Sequence, residues 1–221
     1  MTPTKTMSRA AALAVAGGAA YALARWPRMS TWGATVQEAI EVLPGDEVIT
    51  EPKYRTTHAV SIDAPPERVW AWLVQLGQGR GGMYSYDWLE NLVGLRMHSA
   101  QRIIPELQEL RVGDTIRMAP EGTQPDLSFV VARVESPHLL VLGPAAPREE
   151  SMESGYPYPV WTFVVRPEGE RGSRLVVRFS SDFKPTPTGW LSNKYALEPV
   201  HFVMERKMLL TLKDRAEHVA A

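Results

Sequence analysis

Hydrophobic and polar positions alternate from Thr57 to Asp63, with His58, Val60 and Ile62 on one side and Thr57, Ala59 and Ser61 on the other. A period of two predicts a strand with one buried face. The period then lengthens: Val69, Trp70, Leu73 and Val74 recur at helical spacing behind Pro65, Pro66 and Glu67. Proline suits a first helical turn, an early Glu suits the positive end of the dipole, and Asp63 is expected to accept from the free amides there. Gly77 is expected to stop this helix. In the next segment, Met83 to Val93, the spacing predicts a short helix with Trp88, Leu89, Leu92 and Val93 as one buried stripe. Tyr84, Tyr86 and Asp87 then flank it, at the wall or mouth of any cavity.

Beyond this opening the pattern turns to strands. Pro105 limits residues 97–113 to a short helix carrying Ile104, Leu107 and Leu110. Thr115 to Met118, Ser128 to Val134 and Leu139 to Leu142 read as closely spaced strands of an antiparallel meander. Residues 144–158, with Glu149, Glu150 and Glu153, read as an exposed loop. Trp161, Phe163 and Val165, then Leu175, Val177, Phe179 and Ser181, mark two longer strands whose odd-numbered residues face one interior. A loop ending near Trp190 leads to a helix from Leu197 to His218, roughly 30 Å long. Val200, Met204, Met208 and Thr211 or Leu212 run down its covered face with His201 beside them, while Lys207, Lys213, Arg215 and Glu217 suit a wet face.

Composition narrows the function classes. The net charge is −1, from 24 basic and 25 acidic residues spread along the chain, so no basic surface for nucleic acid is expected. With no cysteine, disulfides and thiolate metal sites are excluded. The five histidines, His58, His98, His138, His201 and His218, show no metal-binding spacing, and no metal or cofactor is expected. Gly77, Gly79 and Gly82 match a dinucleotide fingerprint in letters only. A helix precedes them and a short aromatic segment follows, where the fingerprint needs a strand and then a long helix.

The N-terminus carries a different signal. Residues 10–24 lie between Arg9 and Arg25 without a charge. Fifteen helical residues span about 22 Å, short of a hydrocarbon core of about 30 Å. The segment reads as a single membrane anchor with Trp26 at the interface. The alternatives are a signal peptide cleaved after Ala22-Leu23-Ala24, which would make the chain secreted, and an Ala-rich helix lying on a surface. The expected division is an N-terminal apolar segment (1–31), a lead-in (32–55) and one ligand-binding domain (56–221).

A strand, two short helices, several antiparallel strands and one long helix form an α+β fold. The closing helix is the only element long enough to cover the sheet. The runs IDAPPERVWAWLVQLG, GGMYSYDWLENL, PELQELRVGD and EPVHFVMERKMLLTLKDRAE resemble the START-related (SRPBCC) superfamily over about residues 32–218. That group includes lipid-transfer domains, plant pathogenesis-related allergens and aromatic polyketide cyclases. The resemblance implies a helix-grip fold, a curved antiparallel sheet wrapped around a long C-terminal helix with a hydrophobic cavity between them. It carries no reaction.

The expected function is binding or transfer of an apolar small molecule or lipid, without catalysis. Tyr84, Tyr86, Asp87, His98, Trp161, Phe163, Phe179, His201, Met204 and Met208 are the candidate ligand contacts. The alternative is a cyclase- or dehydratase-like enzyme on an apolar substrate, in which Tyr84, Asp87 and His201 would converge on one point. The bland alternatives are a satisfied, partly buried histidine and a structural network around Asp87.

Overall fold

In a computed structural model of the chain, the described residues are 29–123, 128–154, 157–184, 186 and 198–218. The Ala-rich segment 10–24 and Trp190 lie outside them. Among the described residues no helix is long and apolar enough to cross a membrane.

The elements run α1 (Val36–Ile40), β1 (Tyr54–Ile62), α2 (Pro66–Leu73), α3 (Asp87–Leu92), a 3-10 turn (Pro105–Leu107), β2 (Thr115–Arg117), β3 (Ser128–Glu135), β4 (Leu139–Pro144), α4 (Arg148–Ser154), β5 (Tyr158–Glu168), β6 (Gly172–Asp182) and α5 (Glu198–Glu217). The six strands form one curved antiparallel sheet in the order β1-β6-β5-β4-β3-β2, and α5 packs across it against β1 and α2. This is a helix-grip α+β fold. A register shift in β3 between Val131 and Arg133 adds a local bend.

The inner face of the sheet follows the expected alternation. Trp161, Phe163, Val165, Leu175, Val177 and Phe179 join Val60, Ile62 and the apolar side of α2 in the main core. The register pairs Trp161 with Phe179, and Phe179 with Thr56, so aromatic rings line the sheet where α5 begins.

The lead-in has a structural job that its composition did not reveal. It covers the outer face of the sheet. Thr57 and Ala59 donate backbone bonds to the carbonyls of Ser30 and Trp32, at 2.8 and 3.1 Å. Leu43 packs on Ala59 and Val176. Glu38 pairs with Arg174 at 2.8 Å, and that hydrogen-bonded guanidinium holds its carboxyl down at about 2. Thr35 and Glu38 also close a capping box at the start of α1.

Two local expectations are corrected. Asp63 does not cap α2: the N-cap is Pro65, with no side-chain hydrogen bond, and Pro66 opens the helix. More consequentially, α3 is turned over. Trp88, Leu92 and Val93 are 68, 75 and 71% exposed, whereas Glu90 is 7% exposed. The cause lies at the N-terminal end of α3. Asp87 accepts from the Ser99 amide and hydroxyl at 2.7 and 2.6 Å, and Tyr84 is fully buried at φ 56°. Those two ties set the helix rotation against its own apolar stripe.

Burial, and then the neighbouring Asp87 charge, push the Glu90 carboxyl up to about 7, with Ser85 offsetting part of it. Between the ordinary carboxylate value and about 7 the folded chain holds the extra proton, so stability falls as pH rises through that window. Glu90→Gln is therefore expected to stabilise the fold by about 2 kcal/mol near pH 8 and to change little near pH 4. Urea midpoints at the two pH values check this.

The glycine-rich corner closes on itself. Gly77 and Gly82 exchange two backbone hydrogen bonds, each 3.0 Å. A Cβ on Gly82 would sit 2.6 Å from the His98 carbonyl oxygen. The turn is a tight joint between α2 and the segment that carries α3.

Candidate functional site

Three residues of the inner face of β1 are polar where alternation leads one to expect hydrocarbon: Tyr54, Thr56 and His58. They face the first half of α5, which presents His201 and Glu205, four residues apart. A buried polar group needs a partner, and two of these five find each other. His58 and Glu205 are both shielded, at 0 and 2% exposure, and His58 Nδ1 meets Glu205 Oε2 in a short contact. His58 Nε2 lies 2.7 Å from the Met29 carbonyl oxygen. Both ring nitrogens therefore face acceptors, which only a doubly protonated imidazole satisfies. Glu205 Oε1 accepts from the Trp161 indole at 2.8 Å.

The electrostatics agree with the geometry. Burial opposes charge on His58, but the Glu205 carboxylate outweighs it and raises the imidazole pKa. Burial likewise opposes the Glu205 anion; with His201 neutral, the charge and hydrogen bond of His58 and the Trp161 donor outweigh it and lower that pKa. The pair is an internal ion pair beneath α5.

His201 is different. Burial, the largest influence, lowers its pKa, and His58 adds to that against the pull of Glu205. The ring is neutral. Tyr54 has its pKa raised by burial and by the Glu205 and Glu198 charges, so its hydroxyl keeps its proton. It donates to His201 Nδ1 across 3.2 Å. The remaining imidazole proton then sits on Nε2. Nε2 is 3.9 Å from Glu205 Oε1, beyond hydrogen-bond reach, and is buried without a partner. Thr56 Oγ1 is also buried, and its hydroxyl acts on the Tyr54 phenol, offsetting a small part of the rise in that pKa.

Around these groups the wall is aromatic. Phe179 lies 4.4 Å from the His201 ring centroid and Trp161 lies 6.2 Å away; Phe163 packs against Trp161 with ring centroids 4.9 Å apart and planes tilted by 43°. Met208 is 1% exposed in the same core. A hollow between Met29, Ser30, Tyr54, Thr56, Glu198, Pro199 and Phe202, reached by Tyr54 and Thr56 but not by His201 or the Trp161 wall, measures about 20 Å³, room for a single water. A larger polar cleft of about 460 Å³ opens at the other end of β1, lined by Ser61, Asp63, Glu168, Glu170, Arg171 and Lys213.

The remaining candidates are placed elsewhere. The Tyr84 hydroxyl donates to the Trp72 carbonyl at 3.1 Å and accepts from Gln75 at 2.7 Å; burial pushes its pKa up to about 12. Asp87 serves Ser99. Tyr86 has the Lys207 ammonium 5.9 Å from its ring centroid. Met204 Sδ accepts from the Ser85 hydroxyl at 3.4 Å, and His98 is exposed. Tyr84, through its amide, and Asp87 thus meet at Ser99, whereas His201 is held by Tyr54. The covered face of α5 also differs from expectation. Glu205, Met208, Leu209, Leu212 and Ala216 are buried, whereas Val200 is 55% exposed. Arg215 is half-buried, with its guanidinium 4.6 Å from the Tyr84 ring centroid. Among the described residues no group of three or more His, Cys, Asp or Glu is placed to hold a metal.

No family model and no curated protein matches the chain. Solved structures do. A dimeric Aha1 from Colwellia psychrerythraea aligns at 18% identity and a TM-score of 0.41, over 75% of this chain and 97% of that one. A truncated norcoclaurine synthase from Thalictrum flavum aligns at 16% and 0.42, over 72% and 94%. A hypothetical protein from Helicobacter pylori aligns at 12% and 0.49, over 83% and 99%. At such identities neither ligand nor reaction carries over.

Proposed function

We propose that this is a START-related ligand-binding domain. In this reading the chain binds or transfers an apolar small molecule or lipid that carries one oxygen acceptor, such as a carbonyl. The observation that carries it is the buried, unpartnered His201 Nε2, set among aromatic rings at the start of α5, with Thr56 on β1 lining the small hollow. Leaving a donor unmatched in a dry interior is costly, and a guest oxygen accepts from it. Trp161, Phe163, Phe179 and Met208 are the apolar wall. The hollow of about 20 Å³ is too small for such a guest, so admission requires the first turn of α5 to lift, a two-state opening that the guest biases. A tether through residues 10–24 would hold the domain near a supply of apolar molecules. The cyclase- or dehydratase-like alternative gains nothing from this arrangement, because His201 shares no hydrogen-bond partner with Tyr84 and Asp87.

The test uses Prodan, a neutral naphthalene ketone whose emission shifts to the blue when it leaves water. Binding to the full chain is expected to produce that shift. His201→Phe and Thr56→Val are each expected to weaken binding about five- to tenfold, the loss of one hydrogen bond to a buried group. Native mass spectrometry is expected to find an apolar molecule on gently purified protein. Absence of binding, or affinity unchanged from the native chain in both variants, overturns the proposal.

A further inference from the structure

The inverted helix α3 leaves an apolar surface that the ligand site does not use. Trp88 and Leu92 are four residues apart on one helical face, Val93 adjoins them, and all three are more than two-thirds exposed. The segment that presents them is built, not loose. Its neck is closed by the two Asp87–Ser99 hydrogen bonds. One turn further out, Asn91 donates to the Met97 carbonyl at 2.9 Å and accepts the Met97 amide at 2.5 Å. The chain reverses through Gly94 and Arg96, both at positive φ. A projecting apolar tip held this firmly loses little conformational freedom when it docks.

The charges around the tip have one outward sign. Of the two acids in residues 87–99, Asp87 is engaged by Ser99 and Glu90 faces inward at 7% exposure. Arg96 and His98 are both exposed, and Lys207 of α5 lies over Tyr86 at the base. An exposed tryptophan with two aliphatic neighbours, flanked by the Arg96 guanidinium, with the Lys207 ammonium at its base and no outward carboxylate in residues 87–99, matches an anionic lipid surface. Apolar side chains enter the headgroup boundary and the cations meet phosphates.

We propose that residues 87–99 form a bilayer-docking wedge, with Trp88, Leu92 and Val93 inserting and Arg96 and His98 contacting anionic headgroups. The wedge is independent of the ligand reading: none of its residues lines the hollow beside Tyr54 and Thr56.

The chain has no cysteine, so Leu92→Cys in the full chain takes a single NBD label at the tip, and Glu170→Cys labels the β5–β6 turn as a control. The label at 92 is expected to gain several-fold in emission, with a blue shift, on vesicles of phosphatidylcholine containing a quarter phosphatidylglycerol. The label at 170 is expected not to respond. Trp88→Ala together with Arg96→Glu is expected to abolish the gain. A label at 92 that stays wet while the protein sediments with vesicles overturns the proposal and leaves any attachment to the leader segment. A label already dry without vesicles also overturns it, assigning the tip to a second copy if the signal depends on protein concentration and to the chain itself if it does not. An equal gain on pure phosphatidylcholine removes Arg96 and His98 from the wedge.

Discussion

Glu205→Gln is expected to cost about 3–5 kcal/mol of unfolding free energy and to lower Tm by about 10 °C. The substitution conserves shape and leaves the Trp161 indole an amide oxygen to bond. It removes the charge that holds the His58 imidazolium in a dry interior, and the uncompensated ring must lose its proton or sit wrongly paired. The pH dependence identifies the cause. In the native chain the folded state keeps the His58 proton above the ordinary imidazole value, so stability declines as pH rises through the raised folded pKa. In Glu205→Gln the ring is buried without its counter-charge, its pKa drops below the ordinary value, and the slope near neutral pH reverses. Urea midpoints measured from about pH 5.5 to 8.5 on both proteins report the two slopes. The double variant His58→Phe with Glu205→Gln is expected to recover much of the loss, since both charges are then gone. If the double variant loses the sum of the two single losses, the pair is not coupled and the argument for an ion pair fails.

That ion pair was half-visible in the chain. His58 shares the alternation of Val60 and Ile62, which put an ionisable ring on the buried face of β1. A buried titratable group needs a partner, and Glu205 stands one helical turn from His201. Periodicity does not single it out, because a carboxylate in mid-helix fits a wet face as readily as a buried one. Tyr54 and Thr56 were missed for a simpler reason: β1 begins at Tyr54, three residues before the clear alternation. Apolar periodicity sufficed for β5, β6 and α2, whose faces are decided by long runs of hydrocarbon. It failed for α3, where six residues hold too little apolar area to outweigh the Asp87–Ser99 tie and the burial of Tyr84. There the rotation was set by two hydrogen bonds to Ser99, twelve residues away in sequence, and no local pattern records that.

Arg178→Met is expected to release the lead-in from the sheet and to cost about 3 kcal/mol or more. Arg178 is the largest fully buried side chain, at 2% exposure, on the outer face of β6. Its guanidinium donates to the carbonyls of Glu38, Ala39 and Glu41 at 2.8, 3.2 and 2.7 Å, to Asp46 Oδ2 at 2.6 Å and, through Nε, to Thr57 Oγ1 at 3.0 Å. A five-residue helix leaves its last carbonyls without partners in the helix itself, and these are the groups that α1 presents to Arg178. The cation also sits at the negative end of that helix. Methionine keeps the length and the apolar stem but satisfies none of the five acceptors. Helix α1, too short to persist alone, is then expected to lose its seat. Amide exchange across residues 36–49 should accelerate well before that of β5 and β6, and proteases should cut there first. Uniform acceleration over the whole sheet would mean that the outer layer and the core unfold as one unit. Unchanged protection would mean that Leu43 on Ala59 and Val176, with the Glu38–Arg174 pair, holds the layer without Arg178.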